Sequence, residues 1–233
     1  MSPTPPDPAD GLLRHVVVAV DGTSGSGKSS TSRGVASRLG LRYLDTGAMY
    51  RAVAWWMLSR GVDVHDPAAV AARAGEPVIV SGTDPLAPTI TVDGVDVSVE
   101  IRSDAVNAAV SPVAAVPEVR TRMVQLQRAV IGEGGIVVEG RDIGSTVAPD
   151  AQVKLFVTAD PAARAQRRAA EEGGSDVAAT RESLLNRDRI DSGRAVSPLT
   201  MAEGAVHLDT TPYTLDEVID RVVGLVEAVE ARA

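Results

Sequence analysis

Short apolar runs alternate with longer helical stretches along most of the chain. Residues 15–20 (HVVVAV) form an uninterrupted β-branched run, the pattern of a strand covered on both faces of a parallel sheet. Asp21 and a glycine-rich loop end it, and residues 29–39 then read as a helix closed by Gly40. Similar strand candidates lie at 41–44, 135–138, 153–157 and 206–208, with helical stretches at 48–59, 118–131, 161–172 and 215–230. This alternation predicts a three-layer α/β/α fold around a five-stranded parallel sheet.

One region breaks the pattern. Residues 77–81 (PVIVS) precede TITVDGVDVS at 89–98, where Ile90 and Val92 alternate before Asp93-Gly94, and Val95 and Val97 alternate after it. Asp-Gly between two such runs predicts a hairpin with a type I′ turn, which needs positive φ at both central residues. An antiparallel, β-containing insert is therefore expected at 62–101, within a core made of 14–61 and 102–233. Such an insert is either architectural or a substrate domain, and inserts on the ligand-facing side of α/β sheets often bind substrate. Residues 1–13, carrying prolines and aspartates, are expected to be a disordered tail. They lack the basic and then apolar regions of a signal peptide, and no apolar run approaches the roughly 18 residues of a membrane span. The expectation is a cytoplasmic protein.

Composition narrows the function classes. With 233 residues, 44% of them hydrophobic and 23% charged, the chain can bury a sizeable core. A net charge of −8 argues against a nucleic-acid or anionic-membrane partner, since either requires a basic field. The absence of cysteine excludes disulfides and thiolate chemistry, and His15, His65 and His207 lie too far apart to suggest metal-ligand spacing. Cationic chemistry must be local.

It is local at residues 22–29. Gly22, Thr23, Ser24, Gly25, Ser26, Gly27, Lys28 and Ser29 fit G-x-x-x-x-G-K-[ST], directly after the first strand candidate and directly before a helix. Glycines let the backbone wrap phosphate oxygens, and the N–H groups at the helix start favour an anion. Lys28 is placed to reach the β- and γ-phosphates and Ser29 to help hold Mg²⁺, with Asp45 and Asp142 as candidate carboxylates. The chain has two lysines against 21 arginines, so a lysine at this position stands out. The strings D-x-x-G and N-K-x-D, expected of a GTPase, are missing.

The arginines suggest a second phosphorylated ligand. Arg51 follows a short strand and loop, and Arg141 follows another strand candidate; open α/β sheets bind ligands at such strand ends. Arg187, Asp191 and Arg194 recur at i, i+4 and i+7, one face of a helix that ends near Gly193. Arg164, Arg167 and Arg168 sit early in a helix with Asp160 as cap and Pro161 at its first position. Surface pairing is the alternative, because residues 160–194 contain seven arginines and seven acids. An acceptor that is itself a phosphate monoester is largely dianionic near pH 7 and needs little help from a general base. The protein would then have to bring two anions together and screen them.

In order along the chain, VDGTSGSGKSS, LDTGAMYR, VSVEIRSDAVNAAVSPVAAVPEVR, EGRDIGSTVAPDA and RDRIDSGRAVSPL closely resemble the bacterial cytidylate kinase family of nucleoside monophosphate kinases. The resemblance implies transfer of the γ-phosphoryl group of ATP to CMP or dCMP, with Mg²⁺, by a monomer whose insert is a CMP-binding domain. It implies an ATP loop that runs on to Ser30. It implies Arg51, Arg141 and Arg194 as acceptor-phosphate clamps, and Thr46, Ser111, Arg120 and Asp142 as the cytosine pocket. Arg187 and Asp191 would face the ribose, and Arg164, Arg167 and Arg168 would begin a mobile lid at about 163–180. Lys28, Arg141, Arg187 and Arg194 are the residues expected to carry catalysis. Read from the residues alone, Thr46 fits a helix cap and Ser111 a turn before Pro112 equally well.

Overall fold

The structure, a computed structural model, describes residues 12–171, 174, 176–194 and 197–231. Residues 1–11 of the expected tail, and residues 172, 173 and 175 of the expected lid, lie outside the described residues. Five parallel strands form the main sheet: β1 (Val17–Gly22), β2 (Arg42–Asp45), β6 (Ile136–Glu139), β7 (Val153–Thr158) and β8 (Val206–Asp209). Their spatial order is β2-β6-β1-β7-β8, so β1 occupies the centre and its loop emerges in the middle of the sheet's carboxyl edge.

Strict alternation along β1 explains why the sheet needs helices on both faces. Val18 and Val20 point into one apolar cluster with α1 (Lys28–Leu39) and α8 (Leu215–Glu230), while Ala19 points into the other. The second cluster is built from α2 (Thr46–Ser59), α4 (Asp104–Ala115) and α5 (Pro117–Ile131), with Met49, Met57, Val113 and Met123 at its centre. Thr214 and Glu217 form a reciprocal capping box that fixes the start of α8. Gly34 lets α1 approach α8 closely, since a Cβ there would fall 2.2 Å from Ile219 Cδ1.

The hairpin forms as its turn chemistry predicts. Asp93 has φ 52° and Gly94 φ 80°, with Val92 opposite Val95. With β3 (Ile79–Ser81), β4 (Ile90–Val92) and β5 (Val95–Asp96) it makes a separate three-stranded antiparallel sheet. Two helices were not legible in this stretch of sequence. The seven-residue α3 (Pro67–Arg73), capped by Asp66 at 2.9 Å to the Ala68 amide, is too short to show a periodic stripe. In α4, Pro112 lies inside the helix, so the turn reading of Ser111 is overturned: Ser111 sits within α4. The helix continues three residues past the proline, anchored by buried Val113 and Ala114.

α6 (Pro161–Glu171) and α7 (Val177–Ser192) pack on each other and on the loop after β1. No helix among the described residues is long and apolar enough to cross a membrane.

Candidate active site

A cavity of about 850 Å³ opens at the carboxyl edge of the main sheet and reaches from the β1–α1 loop to the three-stranded sheet. Its size lies at the upper end of the range for small-molecule sites.

The loop is held open by three glycines with positive φ: Gly22, Gly25 and Gly27. Gly22 is irreplaceable on contact grounds too, because a Cβ there would lie 1.9 Å from the Val157 carbonyl oxygen. Thr23 N–H donates to that same carbonyl at 3.2 Å, and Ser26 Oγ closes the loop on Thr23 O at 2.9 Å. Residues 24–30 line the cavity, Ser30 included. Lys28 Nζ folds back onto Thr23 O at 2.5 Å. Burial, reinforced by the neighbouring Arg141 guanidinium, pushes its amine below the ordinary lysine range, and a polyphosphate beside it would favour the charged form.

Beside Lys28, Ser29 Oγ donates to Glu139 Oε2 at 2.9 Å, and Tyr43 Oη donates to Glu139 Oε1. Burial, with Asp45 nearby, drives the Glu139 carboxyl above its usual range. Glu139, rather than the sequence candidates Asp45 and Asp142, is thus the carboxylate bonded to Ser29. Its signal was an acid closing an otherwise apolar strand, IVVE, one residue before Gly140. Asp45 is the N-cap of α2, accepting from Ala48 N at 2.9 Å. The cap reading of Thr46 is thereby corrected: Thr46 is the first residue of α2, and its Oγ1 donates to Glu139 O at 2.7 Å.

The cavity is rich in guanidinium groups, with Arg51, Arg141, Arg168, Arg187 and Arg194 all lining it. Arg51 donates to Asn107 Oδ1 at 2.6 Å and to Ile101 O at 3.2 Å. Arg141 bridges Gly22 O and Asp191 Oδ2, both at 2.8 Å, and Arg194 grips the other oxygen of Asp191. Burial and mutual repulsion lower Arg51 to about 9 and Arg187 to about 10, yet a guanidinium stays charged at neutral pH. Arg187 Nε and Arg194 Nε have no hydrogen-bond partner among the described residues. Crowded cations with unused donors form a site for an anion.

The same cavity holds a polar pocket. Asp142 and Ser111 reach the cavity with Thr46 and Tyr50. Arg120 stands behind Asp142, ion-paired with it, and its guanidinium carbon lies 5.5 Å from the Tyr50 ring centroid. Asp21, buried at the end of β1, receives Ile143 N and Gly144 N at 2.8 Å each and thereby fixes the turn that follows Asp142. Burial pushes its carboxyl up to about 6, against the lowering effect of those two amides.

Arg167 and Arg168 line the cavity, whereas Arg164, read from the sequence as part of the lid, is buried beneath the loop. Its Nη1 donates to Ser24 O at 2.9 Å and pairs with Asp188. Arg167 donates to Thr210 Oγ1 and O at 3.0 and 2.9 Å, and Thr210 Oγ1 in turn donates to Ser26 O at 3.0 Å. Asp188 and Thr210 were missed because neither belongs to a recognisable spacing.

A central parallel strand that opens into this lysine-bearing, glycine-rich loop, with a cluster of arginines beside it, defines a P-loop kinase. A profile of the cytidylate kinase family matches residues 18–228. The chain is 62% identical over 214 residues to a cytidylate kinase of Streptomyces avermitilis, covering 91% of this chain and 93% of that protein. It is 47% identical over 232 residues to one from Corynebacterium glutamicum, covering 97% and 99%. Among solved structures, an uncharacterized protein from Eubacterium ventriosum aligns with a TM-score of 0.51 over 92% of this chain and 99% of its own. At 10% identity that likeness is one of fold alone. The chain belongs to the cytidylate kinase family.

Proposed function

We propose that the protein transfers the γ-phosphoryl group of ATP to CMP or dCMP, giving ADP and CDP or dCDP, and that the residues assembled in the cavity divide this task between them. The supporting observation is a phosphate-cradling loop with under-neutralised guanidiniums close beside it, Arg141 reaching Gly22 O of the loop itself. Lys28 and the loop amides hold the donor phosphates. Arg51, Arg141, Arg187 and Arg194 hold the acceptor phosphate and screen its charge from the donor. The acceptor oxygen already carries charge, so orientation and screening suffice, and no side-chain base is required.

The polar pocket suits cytosine. Asp142 is an acceptor suited to the exocyclic amine, as carboxylates pair with that group elsewhere. Uracil presents an acceptor oxygen there and would meet the carboxylate unfavourably. Ser111 supplies a donor for the other polar edge, and Arg120 holds Asp142 in place from behind. Asp191 uses one oxygen on each of Arg141 and Arg194, leaving lone pairs for a ribose hydroxyl. The three-stranded sheet and its flanking turns, roughly 62–101, form the wall of the acceptor site through Ser81, Thr89, Ser98 and Ile101.

Mg²⁺ fits the paired oxygens of Ser29 and Glu139. This ion is held in phosphate sites by one or two protein oxygens together with phosphate and water, and it would supply charge neutralisation at the transferring group.

The test is ADP release with Mg-ATP across CMP, dCMP, UMP, AMP and shikimate. Turnover with CMP and dCMP well above the others is expected; no stimulation by either cytidine nucleotide would sink the reading.

A further inference from the structure

We propose that Asp188 is a positioning residue that ties the acceptor-clamping helix α7 to the donor loop, so that filling one site is transmitted to the other. The inference rests on the kinase reading above.

The contact is unusually complete for one loop residue. Asp188 Oδ1 accepts from Ser24 N at 2.9 Å, and Asp188 Oδ2 pairs with Arg164. The same Arg164 Nη1 donates to Ser24 O at 2.9 Å, so residue 24 is gripped through both its N–H and its C=O. Neither side chain is loosely held, with 5% of Arg164 and 13% of Asp188 exposed. One turn earlier on the same face of α7 lies buried Leu184. A Cβ added at Gly25 would stand 3.4 Å from both Leu184 Cδ1 and Arg164 Cβ, so the loop rests directly on α6 and α7.

The neighbouring positions of α7 face the other ligand. Arg187 and Asp191 line the acceptor end of the cavity, with Arg194 just beyond the helix. Asp188 and Asp191 are less than one helical turn apart, and a turn of helix moves as a unit. A shift of α7 that tightens the clamp must therefore either pull on Ser24 or break the Asp188 bonds. Arg141, which joins Gly22 O to Asp191, provides a second tie between the same two parts. An ion pair that served stability alone would not need to grip a backbone amide and carbonyl of the donor loop.

The test measures thermodynamic coupling in the full chain. CMP affinity is determined by calorimetry with and without a non-hydrolysable ATP analogue and Mg²⁺, in the natural protein, in Asp188→Ala and in the milder Asp188→Asn. Coupling between sites typically amounts to about 5-fold or more in affinity and is reciprocal, so the reverse titration checks it. The natural protein is expected to reach that value. Asp188→Ala should fall at least about threefold below the natural ratio, the Arg141 tie carrying what remains, with CMP affinity in the absence of donor changed less than about threefold. Asp188→Asn, which keeps an acceptor for Ser24 N–H, should lie between them.

Amide hydrogen exchange needs no acceptor and keeps two failures apart. In the natural protein the ATP analogue should slow exchange in residues 184–191 as well as in the loop; in Asp188→Ala the slowing in 184–191 should be clearly smaller while that in the loop persists. If CMP fails to bind while this transfer of protection persists, the acceptor reading falls and the coupling stands. The coupling is overturned if both variants keep the natural affinity ratio, if the natural protein shows none, or if α7 is protected equally with and without Asp188.

Discussion

Replacing Arg120 by methionine isolates Asp142 inside the base pocket, and its consequences can be worked out in advance. The two side chains are 3% and 6% exposed, so solvent offers neither a substitute partner. The variant loses the charged bond to Asp142, a weaker one to Ala114 O at 3.3 Å, and the cation over the Tyr50 ring. Breaking a buried ion pair from one side costs about 3–5 kcal/mol, and the ring contact adds about 0.5–1 kcal/mol. Against a whole stability of about 5–15 kcal/mol this is a large fraction, and a chain of this size should melt roughly 10 °C lower. The assay is urea denaturation of Arg120→Met, Asp142→Asn and the double variant. The double variant should recover at least about 2 kcal/mol of the summed single losses, since it no longer buries an unmatched charge. In parallel, the ratio of kcat/KM for CMP over UMP should fall at least tenfold in Arg120→Met, which corresponds to about 1.4 kcal/mol. Single losses below about 1 kcal/mol that simply add, together with an unchanged CMP to UMP ratio, would refute the idea that this pair builds the pocket.

Three further outcomes are expected. Lys28→Ala should lower turnover by about 10²-fold or more while CMP affinity, read by calorimetry, stays within about threefold; equal loss of both would mean a misassigned site. Glu139→Gln should raise the Mg²⁺ concentration for half-maximal turnover by about tenfold at saturating ATP, and an unaltered Mg²⁺ titration would remove Glu139 from the metal's surroundings. For Asp21, the unfolded chain releases its proton near 3.8 and the folded chain near 6, so the native state binds more protons in between. Stability linked to this group is therefore full below about pH 3.8 and lost as pH rises through about 6, a total of about 3 kcal/mol. The stability difference between the natural protein and Asp21→Asn should shrink by about 2.4 kcal/mol from pH 4 to pH 7, and a pH-independent difference would contradict it.

Much of the architecture was legible because local and global signals agree. The β-branched run at 15–20 and the loop after it identified the central strand and the donor site together, and Asp93-Gly94 located the hairpin through backbone chirality alone. What failed was legible only in three dimensions. Pro112 looked like a helix end because local steric cost is visible in sequence, whereas the buried contacts of Val113 and Ala114 that offset it are not. Glu139 and Asp188 act through partners 110 and 164 positions away, Ser29 and Ser24, and no spacing rule reaches that far. The arginines are the intermediate case. Their abundance announced an anion, but which of them face the cavity and which, like Arg164, brace the loop from behind depends on helix packing.

The central placement of β1 has a consequence for how the protein comes into being. The strand that carries the donor loop is made early, yet its two neighbours are residues 136–139 and 153–157. Until both have been synthesised, Gly22 has no Val157 against which to shape the loop, and residues 15–40 cannot bury their apolar faces. The grip on Ser24 comes later still, with Arg164 and Asp188. A growing chain thus has its ATP motif in sequence long before it has an ATP site, and contacts of such long range form slowly. Nucleotide can stabilise only chains already made beyond α7. A nascent or truncated chain that stops short of residue 158 is expected to be a client for chaperones and proteases that no concentration of ATP will rescue as a ligand.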